Sequence, residues 1–350
     1  MVDDRIPVGV LGATGTVGRK LVELLTGHPW FRLAEACGSS SSSGEILAGG
    51  WSSAGGESSS ATVESLRLKD PDSPWESPIL FSALPTSAAR EQEIRLAECG
   101  HILVSNASVH RMRPDVPLII PEINSHHLEL VTHQAWKGSL ITNPNCAVAA
   151  LALALAPLHE VFGVKQVVTT SFQAISGAGT PGPPAGSLLD NVLPLISGEE
   201  EKFTGEPQKI LGRIEDGVIS SADFPVSASC TRVSVSDGHL LSVSVALAGK
   251  PSPEAVTEAM VGYRGSCVSV SLPSMPTKPL EVLPGEDRPQ PRLDRNRGGG
   301  MTATVGRVRR CEVLDVKFFV LAHNLVRGAA GATLLNAELC QAEGLVVTAR

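Results

Sequence analysis

Two short segments of this 350-residue chain carry side chains suited to covalent chemistry. Asn143-Pro144-Asn145-Cys146 stands directly before the apolar run Ala147–Ala156. A cysteine where a loop becomes a helix meets the positive end of the dipole and unpaired N–H groups, which favour the thiolate. The same N–H groups could hold an oxyanion on a bound carbonyl. Ser236-Asp237-Gly238-His239 places a histidine after an Asp-Gly turn, between two expected strands. An imidazole near neutral pKa can accept a thiol proton and shuttle protons. Taken singly, each residue has a plainer reading. Most cysteines are buried apolar residues, and a hairpin histidine is more often a surface one. Nothing in the linear order brings Cys146 and His239 together.

A third segment points to a nucleotide. Gly12-Ala13-Thr14-Gly15-Thr16-Val17-Gly18 follows the apolar run Ile6–Leu11 and opens a helical pattern. Glycines at this spacing allow a tight turn and close approach of backbone to a pyrophosphate, which the helix N-terminus then binds. An acid that grips a ribose 2′-hydroxyl belongs about 20 residues further on, at a strand tip. Here the chain reads Ala36-Cys37-Gly38-Ser39-Ser40, with Glu35 the nearest acid. Serine hydroxyls tolerate a 2′-phosphate that a carboxylate would repel, which favours NADP over NAD. The absence of Arg or Lys in this loop works against that preference.

These residues need elements to hold them. Strand-like runs at Ile6–Leu11, Leu33–Cys37, Ile79–Ala83 and His101–Ser105 alternate with helical patterns at Thr16–Thr26 and Ala88–Cys99, as in a parallel α/β sheet. From Val164 the pattern changes. Val164–Ala174, Arg232–Val235, Leu240–Ala248 and Leu314–Ala322 alternate apolar with polar residues or are rich in Val and Ser, which predicts a mostly antiparallel sheet with one open face. Pro251–Gly262 and Val326–Leu345 read as helices, and Pro284–Gly300 as a long loop. Gly38–Ser60 is Ser/Gly-rich and reads as a loop or flap.

Composition narrows the function. The formal net charge is −7, with 29 basic against 36 acidic residues, so no nucleic-acid partner is expected. Ten apolar residues at Ala147–Ala156 are too few for a membrane span of about 20. The N-terminus has no basic n-region, so no signal peptide is expected. Seven scattered cysteines without a C-x-x-C pair suggest no metal cluster and a reducing, cytoplasmic compartment.

The motifs in this order resemble the aspartate-semialdehyde dehydrogenase family, in its archaeal and fungal-like branch. The resemblance runs from the Gly12–Gly18 turn through Asn143-Pro144-Asn145-Cys146 to Gln173–Gly179, Glu199–Lys202, Cys230–Val233 and Asp237–His239. It continues through Gln290–Arg292 and Gly299–Met301 to His323-Asn324-Leu325-Val326-Arg327-Gly328-Ala329-Ala330-Gly331-Ala332. It implies an NADP-binding Rossmann domain at 1–145, completed by a C-terminal helix at 325–350. A catalytic and dimerisation domain would occupy 146–324, and the protein would be a homodimer or homotetramer.

The resemblance also implies roles. Cys146 would be the nucleophile, His239 the acid/base that deprotonates the thiol, and Gln173 a substrate-orienting residue. Arg232 would take the substrate α-carboxylate with a planar fork, and Glu199 its amino group. Arg111 and Lys202 would bind phosphate, with Asn106 a third member. Gly12, Thr14, Gly15, Thr16, Val17, Ser39 and Ser40 would line the cofactor, and Asn324 would hold the nicotinamide carboxamide. The implied reaction interconverts 4-phospho-L-aspartate and L-aspartate 4-semialdehyde with release or uptake of phosphate, on the route to lysine, threonine and methionine.

Rival readings are malonyl-CoA reductase and N-acetyl-glutamyl-phosphate reductase. The latter would show Gly-Cys-Tyr where Asn145-Cys146-Ala147 stands. The Ser-Cys-Thr-Thr of glyceraldehyde-3-phosphate dehydrogenase is absent. A non-catalytic scaffold would be expected to lose Cys146 or His239. The serine run replaces a basic residue usual in the family's cofactor loop.

Overall fold

Val8, Val10 and Leu11 are fully buried in the first strand, β1 (Ile6–Leu11). A strand buried on both faces belongs in a parallel sheet covered by helices. The computed structural model, which describes residues 3–52, 61–179, 182, 185–265 and 271–346, has that arrangement. β1, β2 (Phe31–Cys37), β3 (Ile79–Ser82), β4 (Ile102–Ser105) and β5 (Ser139–Thr142) form a sheet in the order β2-β1-β3-β4-β5. Every pairing in it is parallel. The helices Thr16–Leu25 and Thr86–Glu98 alternate with the strands, close to the bounds expected from periodicity.

The second sheet contains β6 (Val164–Gln173), β9 (Val226–Arg232), β10 (His239–Leu247), β11 (Leu280–Val282), β12 (Ala303–Arg310) and β13 (Val316–Ala322). A hairpin of β7 (Arg213–Glu215) and β8 (Val218–Ser220) stands apart from it. The order is β11-β12-β13-β10-β6-β9. The sheet is mostly antiparallel, as expected, through β12-β13-β10-β6, and it is mixed at its two edges, where β6 and β9 pair in parallel, as do β11 and β12. The strand expected at Arg232–Val235 instead ends at Arg232. Its inner positions are the small residues Ala228 and Cys230, too weak a pattern to locate it beforehand. β12 was not expected either, since its second half, Arg307–Arg310, reads as surface.

The helix Cys146–Phe162 carries the apolar run and is buried at every residue from Ala147 to Leu158. It packs in one core with Leu241, Val243, Val245 and Leu247 of β10. The chain's last helix, Gly331–Ala342, returns to the first sheet, where Leu334, Leu335 and Leu339 share a core with Val8, Val10 and Phe81. The expected single helix from Val326 is divided, because Val326–Ala330 forms a π turn before it. In the serine-rich segment, Ser40–Ser42 is a 3-10 turn and Leu47–Ser52 a short helix, while 53–60 lie outside the described residues. Residues 347–350 of the expected C-terminal helix also lie outside them.

The second sheet gathers chemistry at one end. β6 and β9 run in parallel and finish in register, Gln173 opposite Arg232. β10 runs the other way, so His239 begins where they end, and it pairs with Ala322 at the close of β13. This end faces the carboxyl ends of the first sheet, where α/β folds place ligands.

A buried ion pair anchors the π turn to the helix Pro121–Asn124. Arg327 donates to both Glu122 carboxylate oxygens, at 3.0 and 2.5 Å, and to the Met301 carbonyl at 2.5 Å. Both side chains are 1% exposed, so removing one leaves the other charge buried without its ion-pair partner. Arg327→Leu is expected to destabilise the protein by about 3–5 kcal/mol, measured by denaturant unfolding. A loss under about 1 kcal/mol would show that the pair is not structural.

Candidate active site

Cys146 is the first residue of its helix, and Asn145 is the cap. Asn145 Oδ1 accepts from the N–H groups of Ala147 at 3.0 Å and Val148 at 3.2 Å. Those two donors are therefore occupied and are not available to an oxyanion. The donor nearest the sulfur is a histidine: His239 Nε2 lies 3.1 Å from Cys146 Sγ. His239 Nδ1 accepts from Ala174 N–H at 3.0 Å. That bond assigns the tautomer, leaving the neutral ring's proton on Nε2, towards the sulfur. His239 thus meets Cys146 as a donor, and the expected transfer of the thiol proton to its ring does not fit this geometry. Gly177 packs against the ring, and a Cβ there would stand 2.9 Å from both His239 Cε1 and Arg232 Nη1.

The charges around the sulfur oppose one another. Burial, with Glu199 second, pushes the Cys146 thiol up to about 12, while Lys202, Arg111 and Arg232 pull it down. This overturns the expectation of a thiol lowered by its helix, because desolvation outweighs the cations. Burial, with the Arg232 charge, pushes His239 down to about 3. The resting pair is a neutral thiol beside a neutral imidazole. Burial alone would raise Glu199, but Lys202 and hydrogen bonds from Gln173 and Asn145 outweigh it and hold the carboxyl below its ordinary value.

The expected substrate residues meet around Glu199. Its carboxylate accepts from Asn145 Nδ2 at 2.9 Å, Gln173 Nε2 at 3.1 Å and Lys202 Nζ. Arg232 Nη1 donates to the Ala174 carbonyl at 2.8 Å. Arg111 is buried and paired with Glu206 at 2.9 Å, and its Nη2 donates to the Asn106 carbonyl at 2.6 Å. Asn106 holds Arg111 through its backbone, while its side chain joins a network. Its Nδ2 donates to Thr333 Oγ1 at 2.7 Å, and its Oδ1 accepts from Asn143 Nδ2 at 3.0 Å.

At the nucleotide end, Gly12 has φ +75° and a Cβ on Gly18 would lie 2.1 Å from the Gly12 carbonyl oxygen. The turn therefore requires glycine at 12 and 18, and the helix from Thr16 follows at once with Gly15 as cap. Thr14 and the serine loop touch, since a Cβ on Gly38 would stand 3.1 Å from the Thr14 side chain. Ser39 and Ser41 hydroxyls lie 2.8 Å apart, and Ser40 opens the 3-10 turn. Glu35 is turned away from a ribose role: it accepts from Ser77 N–H and Oγ, Glu76 N–H and Lys69 Nζ. The Asn324 amide bridges Gly238 N–H and Ser176 Oγ, each at 2.8 Å, and so anchors the turn before His239.

Comparison with known proteins decides the family. Residues 7–131 match the model for the semialdehyde dehydrogenase NAD binding domain, and 155–327 the model for its dimerisation domain. An aspartate-semialdehyde dehydrogenase of Methanothermobacter thermautotrophicus is 43% identical, covering 95% of this chain and 98% of that protein. That of Schizosaccharomyces pombe is 40% identical, covering 97% and 99%. The chain belongs to the aspartate-semialdehyde dehydrogenase family. A crystal structure of the Candida albicans aspartate-semialdehyde dehydrogenase with NADP superposes with a TM-score of 0.90 at 36% identity, covering 97% of this chain and all of that one. This chain is accordingly an oxidoreductase of the aspartate-semialdehyde dehydrogenase family, with a parallel cofactor-domain sheet and a second, mixed one.

Three residues of this aspartate-semialdehyde dehydrogenase site went unassigned in the sequence. Asn145 was quoted only as part of the cysteine motif, and neither its capping of the helix nor its reach to Glu199 was read there. Glu206 carried no signal. Gly328 lay within a quoted motif without a role. A Cβ on it would fall 2.5 Å from Cys146 Cβ, so the π turn can approach the cysteine only with glycine there.

Gly328→Ala should displace Cys146 and lower turnover of aspartate semialdehyde on the order of 10²-fold in steady-state assays. Turnover within a factor of about two of wild type would remove that constraint. Only the thiolate alkylates, so a thiol raised to about 12 should react faster at each higher pH. Iodoacetamide labelling of ligand-free Cys146, read by peptide mass, should climb about tenfold per unit between roughly pH 7 and pH 10. A plateau near neutral pH would show a thiolate already formed.

Proposed function

We propose that the chain catalyses the reversible reductive dephosphorylation of 4-phospho-L-aspartate to L-aspartate 4-semialdehyde, with NADP and through a thioacyl group on Cys146. The observation that carries this reading is the 3.1 Å approach of His239 Nε2 to Cys146 Sγ, inside a ring of Arg111, Lys202 and Arg232. A cationic ring within a chain of net charge −7 suits a small phosphorylated amino acid rather than a polyanion.

The residues support each step. The thiol proton passes to a phosphoryl oxygen of the substrate as the sulfur attacks the acyl carbon; a C–S bond forms and phosphate leaves with the C–O bonding pair. Arg111 and Lys202 neutralise the departing phosphate. Arg232 pairs with the α-carboxylate, Glu199 with the ammonium group, and Gln173 steadies Glu199. NADPH, when bound, would supply the hydride that reduces the thioacyl carbon. The resulting hemithioacetal oxyanion needs a donor, and His239 Nε2–H is placed for it. Collapse of that oxyanion breaks the C–S bond, frees the aldehyde and returns the thiolate, so the ring need not give up its proton.

The Gly12–Gly18 turn and the helix at Thr16 fit a dinucleotide pyrophosphate. Thr14, Val17 and the Ser39 and Ser40 loop would complete the cradle, and Asn324 would reach the nicotinamide side. NADP is favoured over NAD because Glu35, the acid nearest the serine loop in sequence, is held by Ser77, Glu76 and Lys69. The related Candida albicans enzyme was solved with NADP. The same reading divides the chain into a cofactor domain, 1–145 with 325–350, and a catalytic domain, 146–324. It also assigns a cytoplasmic location on the lysine, threonine and methionine route. Val168, half exposed on the outer face of β6, supports pairing of that sheet in a homodimer or homotetramer.

One assay tests the reading. Aspartate semialdehyde, N-acetylglutamate semialdehyde and malonyl-CoA are each supplied with NADP and with NAD, in the direction each requires. Phosphate-dependent turnover of aspartate semialdehyde with NADP is expected, and Cys146→Ala should abolish it. Turnover in that variant near the wild-type rate would sink the covalent mechanism, and preference for malonyl-CoA would reassign the substrate.

A further inference from the structure

We propose that Glu206 is a positioning residue that locks the phosphate-binding arginine to the backbone of the nucleophile loop. The inference rests on the reading of Arg111 as phosphate ligand and Cys146 as nucleophile. Glu206 begins the short helix Glu206–Ile210 and is 2% exposed. Its two carboxylate oxygens serve different masters. Oε1 accepts from Arg111 Nη1 at 2.9 Å, and Oε2 accepts from the Asn145 N–H at 2.6 Å. Asn145 caps the helix that Cys146 begins, so one carboxylate sets both the phosphate arm and the approach to the sulfur.

The same helical turn holds Arg111 a second time. Residues three apart lie on one helix face. Lys209 Nζ donates to the backbone carbonyls of Arg111 at 2.6 Å and of Arg113 and Val116 at 2.7 Å each. Arg111 is thus held by side chain from Glu206 and by main chain from Lys209. With Nη1 on Glu206 and Nη2 on the Asn106 carbonyl, its Nε is buried without a partner among the described residues. That is the guanidinium edge left to an anion.

An isosteric amide separates positioning from bulk. Gln at 206 can accept one N–H, but its amide group presents hydrogens to the other donor, so one bridge breaks. Initial rates of semialdehyde oxidation against phosphate concentration are measured on the full-length enzyme, for wild type, Glu206→Gln, Arg111→Leu and the double variant. Glu206→Gln should raise the phosphate KM at least about tenfold while leaving the semialdehyde KM within about twofold. In the Arg111→Leu background the same change should add less than about twofold, since Glu206 acts on phosphate through Arg111.

A phosphate KM unchanged by Glu206→Gln overturns the proposal, as does an effect of equal size with and without Arg111. Should the Gln variant fail to fold, Glu206→Asp keeps the charge but is a methylene too short to span both partners. Its phosphate KM is then read by the same criterion. Failure of the underlying reading shows separately, as wild-type enzyme without phosphate-dependent turnover or an active Cys146→Ala.

Discussion

Desolvation of one half-buried thiol is the constraint on which the rest of the site depends. Cys146 begins a helix whose next twelve residues are all buried, at the junction of two sheets. Removing a sulfur from water disfavours its anion, and the neighbouring Glu199 adds to that. Three cations and an imidazole N–H act in the opposite direction. Their arrangement is reciprocal: Glu199 opposes the thiolate but organises Asn145, Gln173 and Lys202 around it. A carboxylate that a thiolate would rather avoid is retained because it holds the pocket's polar groups in place.

That arrangement makes His239 more a fixed donor than a mobile base. Its Nδ1 is committed to the Ala174 N–H, and the ring is enclosed by Gly177, Arg232 and the turn that Asn324 anchors. A site with preoriented donors needs no reorganisation when charge develops on a carbonyl oxygen. The N–H groups of Ala147 and Val148 cannot take this part, because Asn145 Oδ1 already fills them.

Both sheets contribute, and polar contacts hold them in register. Gln173, Arg232 and His239 come from adjacent strand ends of the second sheet. Asn106, Arg111, Asn143 and Cys146 follow the strands of the first. Glu206–Arg111 crosses between them, and Glu122–Arg327 anchors the π turn that returns the chain to the first sheet; both pairs are deeply buried. Buried pairs of this kind add specificity of geometry more surely than net stability. Gly328 allows the closest approach, backbone against the cysteine, that this junction demands.

The amino-acid sequence by itself determined the elements and the inventory of reactive groups. The strand-turn-helix at Gly12–Gly18, the helix after Asn145 and the alternating strand at Leu240–Ala248 follow from local sterics and periodicity, which short windows contain. Weakly patterned β9 and the arginine-rich half of β12 were not legible, because small or charged residues mask which face is buried. Only the tertiary structure decided what each reactive group is. It closed the distance between residues 146 and 239, chose the imidazole tautomer and raised the thiol where the helix alone predicted lowering. Those outcomes depend on desolvation and on partners distant in the chain. Glu35 shows the same division: adjacent to the cofactor loop in sequence, it is turned to Ser77 and Lys69 once the strands pair.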